Sequence, residues 1–387
     1  MKTPSTRLHG LDTLRSLAIL SVIAYHVWGF GGDNKLPGWF DSVAQFLWMG
    51  VDLFFVLSGF LIGSQLLRPY RKGEKPSLWG FYRNRIYRIL PAYFAVLALY
   101  EFVPGWRELP ALAPAWTFLT FTQNFAIAHF HAHAFSQAWS LCVEEHFYLL
   151  LPLILLAVMR KPSARRTAIV FAAFVLAGMA IRGFILFHRL RPLADSGQGF
   201  GIDYLYLIYY ATYSHFDGLL VGVALAVVRT FRPAWWSAGA RRGHLQALAG
   251  IALIALCLPL FHQRYVSASG ITAVGDVVGF PVLSLGLGFL VASAMSENGL
   301  LSRVRVPGAK LIATLAYSLY LTQKEMIHLV RNWFPAFDRW GGWRWLLVYA
   351  ACSLCAAGAL YLCVERPFLL LRDRRKAAPA VEKTAAV

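Results

Sequence analysis

The chain has 387 residues, of which 58% are hydrophobic and only 14% are charged, whereas soluble domains carry about a quarter charged residues. These proportions exclude an ordinary soluble domain and predict an all-α, polytopic transmembrane helical bundle. A net charge of +18 would suggest nucleic-acid binding in a soluble protein, but here apolar segments of spanning length interrupt the basic residues. We therefore predict no nucleic-acid partner.

About ten spans are predicted, and they fall within one membrane domain over residues 1–371. In chain order the predicted spans are 12–30, 43–67, 82–104, 138–159, 166–188, 203–228, 246–262, 272–296, 310–331 and 344–366. The apolar but proline-containing stretch 111–127 is interpreted as an outer half-helix or cavity-lining segment. The basic and then Ala-rich tail, residues 372–387, is predicted to be a disordered cytoplasmic tail.

The loops between these spans sort the basic residues to one side of the membrane. About 25 basic residues fall on the termini and the even-numbered loops, and about eight fall on the odd-numbered loops. The positive-inside rule then places both termini in the cytoplasm, and an error of one span would destroy this sorting. Most of the excess positive charge is thus explained by topology.

The first span carries two ionisable residues on one stripe. His26 follows Arg15 by eleven positions, which brings the two residues to nearly the same helix face with a rise of about 16 Å between them. Ionisable groups inside a membrane are costly and normally face a polar cavity or a partner. The pattern indicates a lined path for a long anionic substrate.

Acidic residues of two other spans are predicted at the depth of His26. Glu144 and Glu145 lie in the outer half of the fourth span, and Asp52 lies at a similar level in the second. A histidine within hydrogen-bond reach of a carboxylate is a better proton acceptor, so these groups predict a base with an orienting carboxylate. Glu144 and Glu145 point about 100° apart, so we expect only one of them to face His26. The alternative interpretation is a structural hydrogen-bond network.

A basic cluster opens the third span on the cytoplasmic side. Arg85 and Arg88 are three positions apart and therefore share a helix face, and Arg15 begins the first span on the same side. Guanidinium groups suit phosphates because they donate two hydrogen bonds at once and stay charged. We predict a phosphate site here; simple positive-inside anchoring is the alternative.

The cysteines and the outer histidines indicate no metal site. All five cysteines stand in apolar surroundings, and the C-x-x-C pair Cys352 and Cys355 has no matching second pair. The alternating His129, His131 and His133 are interpreted as part of a solvated loop. We predict no metal and no permanently bound cofactor.

These residues give the chain its resemblance to the acyltransferase-3 family, the integral membrane acyltransferases that modify bacterial surface and secreted glycans. The resemblance covers nearly the whole chain and rests on the order and spacing of several short motifs. In chain order the motifs are LDTLR at 11–15 with His26 beyond it, GVDLFFVLSGFLI at 50–62, RNRIYRILP at 83–91, WSLCVEEHFY at 139–148, YSLYL at 317–321 and ERP at 365–367.

The resemblance implies transfer of an acyl group, usually acetyl, from cytoplasmic acyl-CoA to a hydroxyl at the outer face of the bacterial cytoplasmic membrane. It implies that the Arg15/His26 pair and the Arg85/Arg88 pair matter for activity. We further expect five motif residues to line the pocket: Asp52, Trp139, Ser140, Tyr148 and Tyr317.

The chain also departs from the pattern that this family implies. Family members often have His where this chain has Gln323, and many have Arg where it has His215. Some relatives carry a C-terminal esterase-like domain, which we do not expect in this protein.

We therefore predict an acetyl-CoA-dependent O-acetyltransferase with His26 as base, assisted by Glu144 or Glu145, and with Arg15, Arg85 and Arg88 as the acyl-CoA site. A covalent acyl-histidine relay is the alternative mechanism. A transporter or flippase of a lipid-linked glycan is the alternative function, although no inverted repeat is evident. A membrane scaffold is the third function considered. The sequence does not identify the acceptor, which is a glycan or a small hydroxyl compound, and it leaves open the acyl chain length and a homo-oligomeric state. Membrane lipids are expected partners.

Overall fold

The computed structural model describes residues 9–30, 37–126, 133–197, 201–262, 272–335 and 342–377. These residues form helices and turns with no strand, which confirms the all-α prediction. Eleven helices organise the described part: α1 (His9–Phe30), α2 (Met49–Arg71), α3 (Leu78–Phe102), α4 (Trp139–Met159), α5 (Ala164–Ile185), α6 (Asp217–Phe231), α7 (Gly243–Cys257), α8 (Phe280–Ala294), α9 (Ala309–Trp333), α10 (Gly342–Leu360) and α11 (Arg366–Ala377).

Each of the ten predicted spans overlaps one of the helices α1 to α10. Within the described part, seven helices are long and apolar enough to cross a membrane, which confirms the polytopic helical bundle. Helices α3 and α9 are long enough but more polar, because α3 begins with Arg83, Arg85 and Arg88 and α9 carries Lys324 and Glu325 in its C-terminal half. Among α1 to α10, these two helices are the least apolar.

The centre of the bundle is formed by α1, α2, α6 and α9, and glycines allow its closest approach. A Cβ atom at Gly59 of α2 would lie 2.1 Å from the carbonyl oxygen of Leu219, and one at Gly222 of α6 would lie 2.2 Å from that of Val56. Such backbone contact is what small residues permit between membrane helices. Helix α1 packs on both α2 and α9, so residues of α1 face both partners.

The sixth predicted span, 203–228, is not one continuous helix. A short helix (Gly201–Tyr204) and a π-helical turn (Leu205–Tyr209) lead to a break, and α6 begins only at Asp217. A buried ion pair stabilises this break, because Arg182 of α5 lies 2.6 Å from the Asp217 carboxylate and also donates to the Ser214 carbonyl. Hydropathy alone does not reveal a break whose polar groups are satisfied by another helix.

The connection between α3 and α4 has defined structure, and so does the segment that follows α10. The stretch predicted as a half-helix, 111–127, forms two short helices in its described part (Ala115–Leu119 and Gln123–Ala126). At the other end, α10 continues through a π-helical turn (Tyr361–Glu365) into α11, so residues 372–377 are helical and the domain boundary predicted at 371 lies too early. The rest of the predicted tail, 378–387, lies outside the described residues.

Candidate active site

A long cavity of about 470 Å³ lies between α1, α2, α3, α4 and α9. Both Val51 and Gln65 of α2 line it, and these residues are fourteen positions apart, which corresponds to about 21 Å along the helix. The cavity is therefore elongated along the bundle axis and takes up a large part of the membrane thickness.

One end of the long cavity, here the basic end, is lined by four guanidinium groups. They belong to Arg15 of α1, Arg85 and Arg88 of α3, and Arg372 of α11. The structure thus brings together the three arginines singled out in the sequence and adds a fourth from the helix where disorder was predicted.

The arginines of the basic end differ in how they are held. Arg88 forms an ion pair of 2.9 Å with the fully buried Glu365, so part of its charge is compensated. The guanidinium of Arg85 lies 5.7 Å from the ring centre of Tyr148, and its buried Nε has no hydrogen-bond partner within the described residues. A buried hydrogen-bond donor without a partner is costly. Arg85 is therefore the group best prepared to donate a hydrogen bond to a ligand in the cavity.

The opposite end, here the hydroxyl end, is closed by Ser140 of α4 and Tyr320 of α9. Their hydroxyl oxygens are 2.5 Å apart, and Tyr320 also donates to the Gln137 carbonyl at 2.8 Å. Tyr317, one turn nearer the basic end, lines the cavity and donates to the Ile89 carbonyl at 2.9 Å. The walls of this end are thus hydroxyl groups fixed by hydrogen bonds.

Between the two ends, the one carboxylate that the described residues contribute to the wall is that of Glu144. Glu144 and Tyr148 lie one turn apart on α4 and both line the cavity, where the Tyr148 hydroxyl is hydrogen-bonded to Ser58 of α2. Within the described residues, Glu145 is not part of the cavity wall. The structure therefore distinguishes the two neighbouring glutamates, and Glu144 is the one that faces the cavity.

His26 lies just beyond the hydroxyl end and is held by Gln323 of α9. Within the described residues the cavity wall includes Tyr320 but not His26. Tyr320 precedes Gln323 by three positions, a rise of about 4.5 Å, and the Gln323 amide nitrogen is 2.7 Å from Nδ1 of His26. The hydrogen-bond partner of His26 is therefore an amide, where the sequence predicted a carboxylate.

The amide of Gln323 controls which nitrogen of His26 can accept a proton. When its N–H donates to Nδ1, a neutral imidazole carries the proton on Nε2. A half-turn of the amide presents its oxygen, which accepts from Nδ1–H and leaves Nε2 as the acceptor. In the orientation observed, Oε1 of Gln323 is buried and has no hydrogen-bond partner in the described part of the chain. The half-turn would give it one.

Asp52 and Trp139, two of the predicted pocket residues, belong to a different cluster. The Asp52 carboxylate accepts from Nε2 of His215 at 2.8 Å, and both side chains are buried. The ring of Trp139 lies against those of Tyr209, Tyr210 and His215. This cluster packs beside the break before α6, and within the described residues neither Asp52 nor Trp139 lines the long cavity.

Three consecutive polar residues of α9 each have a partner on a different element, and the sequence alone did not assign them roles. Gln323 contacts His26, Lys324 forms an ion pair of 2.9 Å with Glu108, and Glu325 accepts from Gln137 at 2.5 Å. Polar residues in the middle of an apolar helix are a signal for partners. Glu108, in a long loop, gave no such signal.

The described residues contain no group of three or more side chains suited to hold a metal ion. Of the three outer histidines, His129 and His131 lie outside the described residues. The described His133 is buried.

Comparison with known proteins gives a coherent result. The family profile described as "Acyltransferase domain", of the acyltransferase-3 type, matches residues 8–362. O-acetyltransferase OatA of Staphylococcus aureus is 25% identical over 354 residues, which cover 84% of this chain and 52% of OatA. The putative peptidoglycan O-acetyltransferase YrhL of Bacillus subtilis is 32% identical over 236 residues, which cover 57% of this chain and 33% of YrhL.

A third relative, the putative O-acetyltransferase SACOL0978 of Staphylococcus aureus, is 24% identical over 340 residues, covering 84% of this chain and 51% of the relative. The chain spans about half the length of the curated relatives that it matches across most of its own length. No solved structure matches the chain.

Proposed function

This chain belongs to the acyltransferase-3 family, and from that premise we propose that it is a membrane O-acetyltransferase that moves an acetyl group from acetyl-CoA to a hydroxyl group. One observation carries the proposal. A single elongated cavity has four guanidinium groups at one end and a pair of hydroxyls at the other, and it ends about one helical turn from His26. This shape suits a donor whose charged nucleotide and reactive thioester are far apart.

The basic end would hold the phosphate groups of the donor. Arg85, whose Nε has no hydrogen-bond partner in the described part of the chain, would bind a phosphate directly, and Arg15 and Arg372 would add charge from the two sides of the cavity. Guanidinium–phosphate contacts are strong because they are charge-assisted and often bidentate. The pantetheine arm would then extend past Glu144 towards Ser140 and Tyr320.

The hydroxyl end would hold the thioester, and His26 would supply the base. With the Gln323 oxygen on Nδ1–H, Nε2 takes the proton of the acceptor hydroxyl as its oxygen attacks the thioester carbonyl. The C–S bond then breaks, the acetyl ester forms, and CoA leaves as a thiolate that takes up a proton. Glu144, which lines the donor cavity, is the carboxyl group that we assign to protonate this thiolate, and the proton that His26 took from the acceptor then restores the Glu144 carboxyl through water. Direct attack by His26, giving an acyl-imidazole, is the second route through the same residue.

The charge distribution supports cytoplasmic entry of acetyl-CoA. The basic end lies where α1 begins and α11 ends, the side on which most basic loop residues fall. The acceptor, for which the printed name of YrhL suggests a cell-envelope glycan such as peptidoglycan, would then approach from the outer face of the bacterial cytoplasmic membrane.

We expect His26→Ala to abolish acetyl transfer. Removal of a general base costs about 10²–10⁴-fold in rate. Membranes that contain the wild type or the variant would be incubated with radiolabelled acetyl-CoA and fractionated cell-envelope acceptors, and the label in the acceptor would be counted. His188→Ala, which changes an exposed histidine of another helix, is the matched control and should transfer normally. An inserted His26→Ala protein with near-normal transfer would refute the assigned base. Label transfer that does not depend on the protein at all would refute the enzyme and favour a transporter.

We expect Arg85→Ala to weaken acetyl-CoA binding by about tenfold or more, because a charge-assisted phosphate contact is lost. The Kd would be measured by titration of purified protein in lipid nanodiscs. Arg83→Ala is the control, since Arg83 opens the same helix and does not line the cavity. Arg85→Ala combined with Arg88→Ala should weaken binding further. Donor affinity that is equal in all three variants and the wild type would rule out this phosphate site.

A further inference from the structure

A second pocket, of about 340 Å³, lies at the end of the bundle where α1 and α9 both end. Phe30 and Glu108 form one side of it. The other side is formed by α9, at positions 324, 328, 331 and 332. This spacing places four polar side chains on one helix face. The volume lies within the range of about 300–1,000 Å³ that is usual for ligand sites.

The inner wall of the second pocket is a buried ion pair whose two members both make further hydrogen bonds. Lys324 lies 2.9 Å from Glu108, donates to Ser136 at 2.7 Å and lies 4.7 Å from the ring centre of Phe30. Glu108 also accepts from the Tyr100 hydroxyl and the Phe135 backbone N–H. Both side chains are at most 5% exposed, so this pair gives the pocket a rigid polar wall.

The outer wall is formed by groups that retain hydrogen-bonding capacity towards the pocket. Arg331 donates through Nη1 to the Phe30 carbonyl at 2.9 Å, which fixes its guanidinium at the rim. Asn332 and His328 are bonded to each other at 2.9 Å. With Lys324 and Arg331 against the one carboxylate of Glu108, the charged lining residues carry a net positive charge.

His26 lies between this pocket and the long cavity. Phe30 is one turn from His26 on α1, with ring centres 6.0 Å apart, and Lys324 directly follows the Gln323 that contacts His26. Tyr320, at the hydroxyl end of the long cavity, is one turn away on the other side. A hydroxyl group presented from the second pocket would therefore reach His26 from the side opposite to the donor.

We propose that the second pocket is the acceptor subsite and that it selects a saccharide unit bearing an anionic group, a proposal that rests on the proposed function. Arg331 binds the anion, since guanidinium is the group that best matches a carboxylate. The ring of Phe30, 43% exposed, offers an apolar face to the sugar, and His328 and Asn332 bond to its hydroxyls. Arg331 is thus the specificity-determining residue of the acceptor.

The test is a binding measurement that needs no acetyl transfer. Purified full-length protein in nanodiscs would be titrated with matched saccharide pairs: cellobiose against cellobiouronic acid, and N-acetylglucosamine against N-acetylmuramic acid. We expect the anionic member of at least one pair to bind about tenfold more tightly. Arg331→Gln should abolish this preference and Arg331→Lys should retain part of it, while acetyl-CoA affinity stays unchanged in both variants.

Arg344→Gln is the control, because Arg344 is an exposed arginine at the same end of the bundle and is not in the pocket wall. Equal binding within both pairs, absence of binding by all four saccharides, or a preference that survives in Arg331→Gln would overturn the acceptor subsite. These outcomes are separate from failure of the proposed function, which would show as absence of acetyl-CoA binding and transfer in the wild type.

Discussion

The imidazole of His26 is oriented by an amide, and this contact has a chemical consequence. Gln323 can present either its oxygen or its nitrogen to Nδ1, and only the oxygen leaves Nε2 free to accept a proton from a hydroxyl group. The Gln323 backbone is itself held, because Tyr349 of α10 donates to its carbonyl at 3.0 Å. In the proposed reaction Gln323 is therefore a positioning residue that acts through His26.

We expect Gln323→Met to lower kcat by about 10- to 100-fold, because the imidazole loses the group that fixes its orientation. Gln323→Glu should retain much of the activity, since its carboxylate can accept from Nδ1–H. The readout is kcat and KM for acetyl-CoA with a fixed acceptor preparation, and the KM should change little. A Gln323→Met protein with wild-type kcat, or a loss of the same size in Gln323→Glu, would mean that the amide does not position the base.

For individual residues, the sequence predicted which side chains carry charge into the bundle but not which of these side chains contact each other. Arg15, Arg85 and Arg88 line one cavity because their depth follows from residue count along their helices. The Gln323 contact to His26 joins residues 297 positions apart and depends on how α9 is rotated against α1, which helical periodicity does not define. For the same reason the sequence could not choose between Glu144 and Glu145, nor assign Asp52 to His215.

Among the helices, α11 contributes most that the sequence did not predict. Its residues are basic, so composition indicated a solvated tail, yet α11 continues from α10 and packs against α3. There Arg375 lies over the ring of Tyr87 at 5.7 Å, and Arg372 lines the long cavity. Tertiary contact with a neighbouring helix stabilises a segment whose own hydropathy favours disorder.

We expect Arg372→Ala to weaken acetyl-CoA binding by about threefold to tenfold, less than Arg85→Ala, because Arg372 is also bonded to Asp373 and is partly exposed. Titration with acetyl-CoA at two salt concentrations would measure this, and the difference should shrink at high salt. Arg374→Ala, an exposed neighbour that does not line the cavity, should bind like the wild type. Identical affinities for all three proteins would exclude α11 from the donor site.

Hydropathy predicted where the apolar helices lie but not where they break, and seven of the ten predicted spans correspond to helices of the described part that are long and apolar enough to cross a membrane. The ten predicted spans overlap α1 to α10, yet the sixth is interrupted where Arg182 and Asp217 form a buried ion pair. A hydropathy average over the whole span does not reveal such a pair. Gly59 and Gly63 of α2 both face α6, and small residues of this kind let membrane helices approach closely.

On the scale of the whole molecule, two cavities approach one histidine from opposite ends of a membrane bundle. The long cavity brings four arginines to one end, and the second pocket brings Arg331 and Lys324 to the other. In the proposed reaction only the acetyl group passes from one side to the other, while the nucleotide of CoA stays at the basic end. The chain would thus modify an outer acceptor with an inner donor without transporting either.

The most direct test of this account is an experimental structure of the protein in a lipid nanodisc with a non-hydrolysable acetyl-CoA analogue. We predict phosphate density against Arg85 and Arg15 and the acetyl group at Ser140 and Tyr320, with its carbonyl turned towards His26. An analogue bound outside the long cavity, or bound within it with the acetyl group at the basic end, would contradict the account.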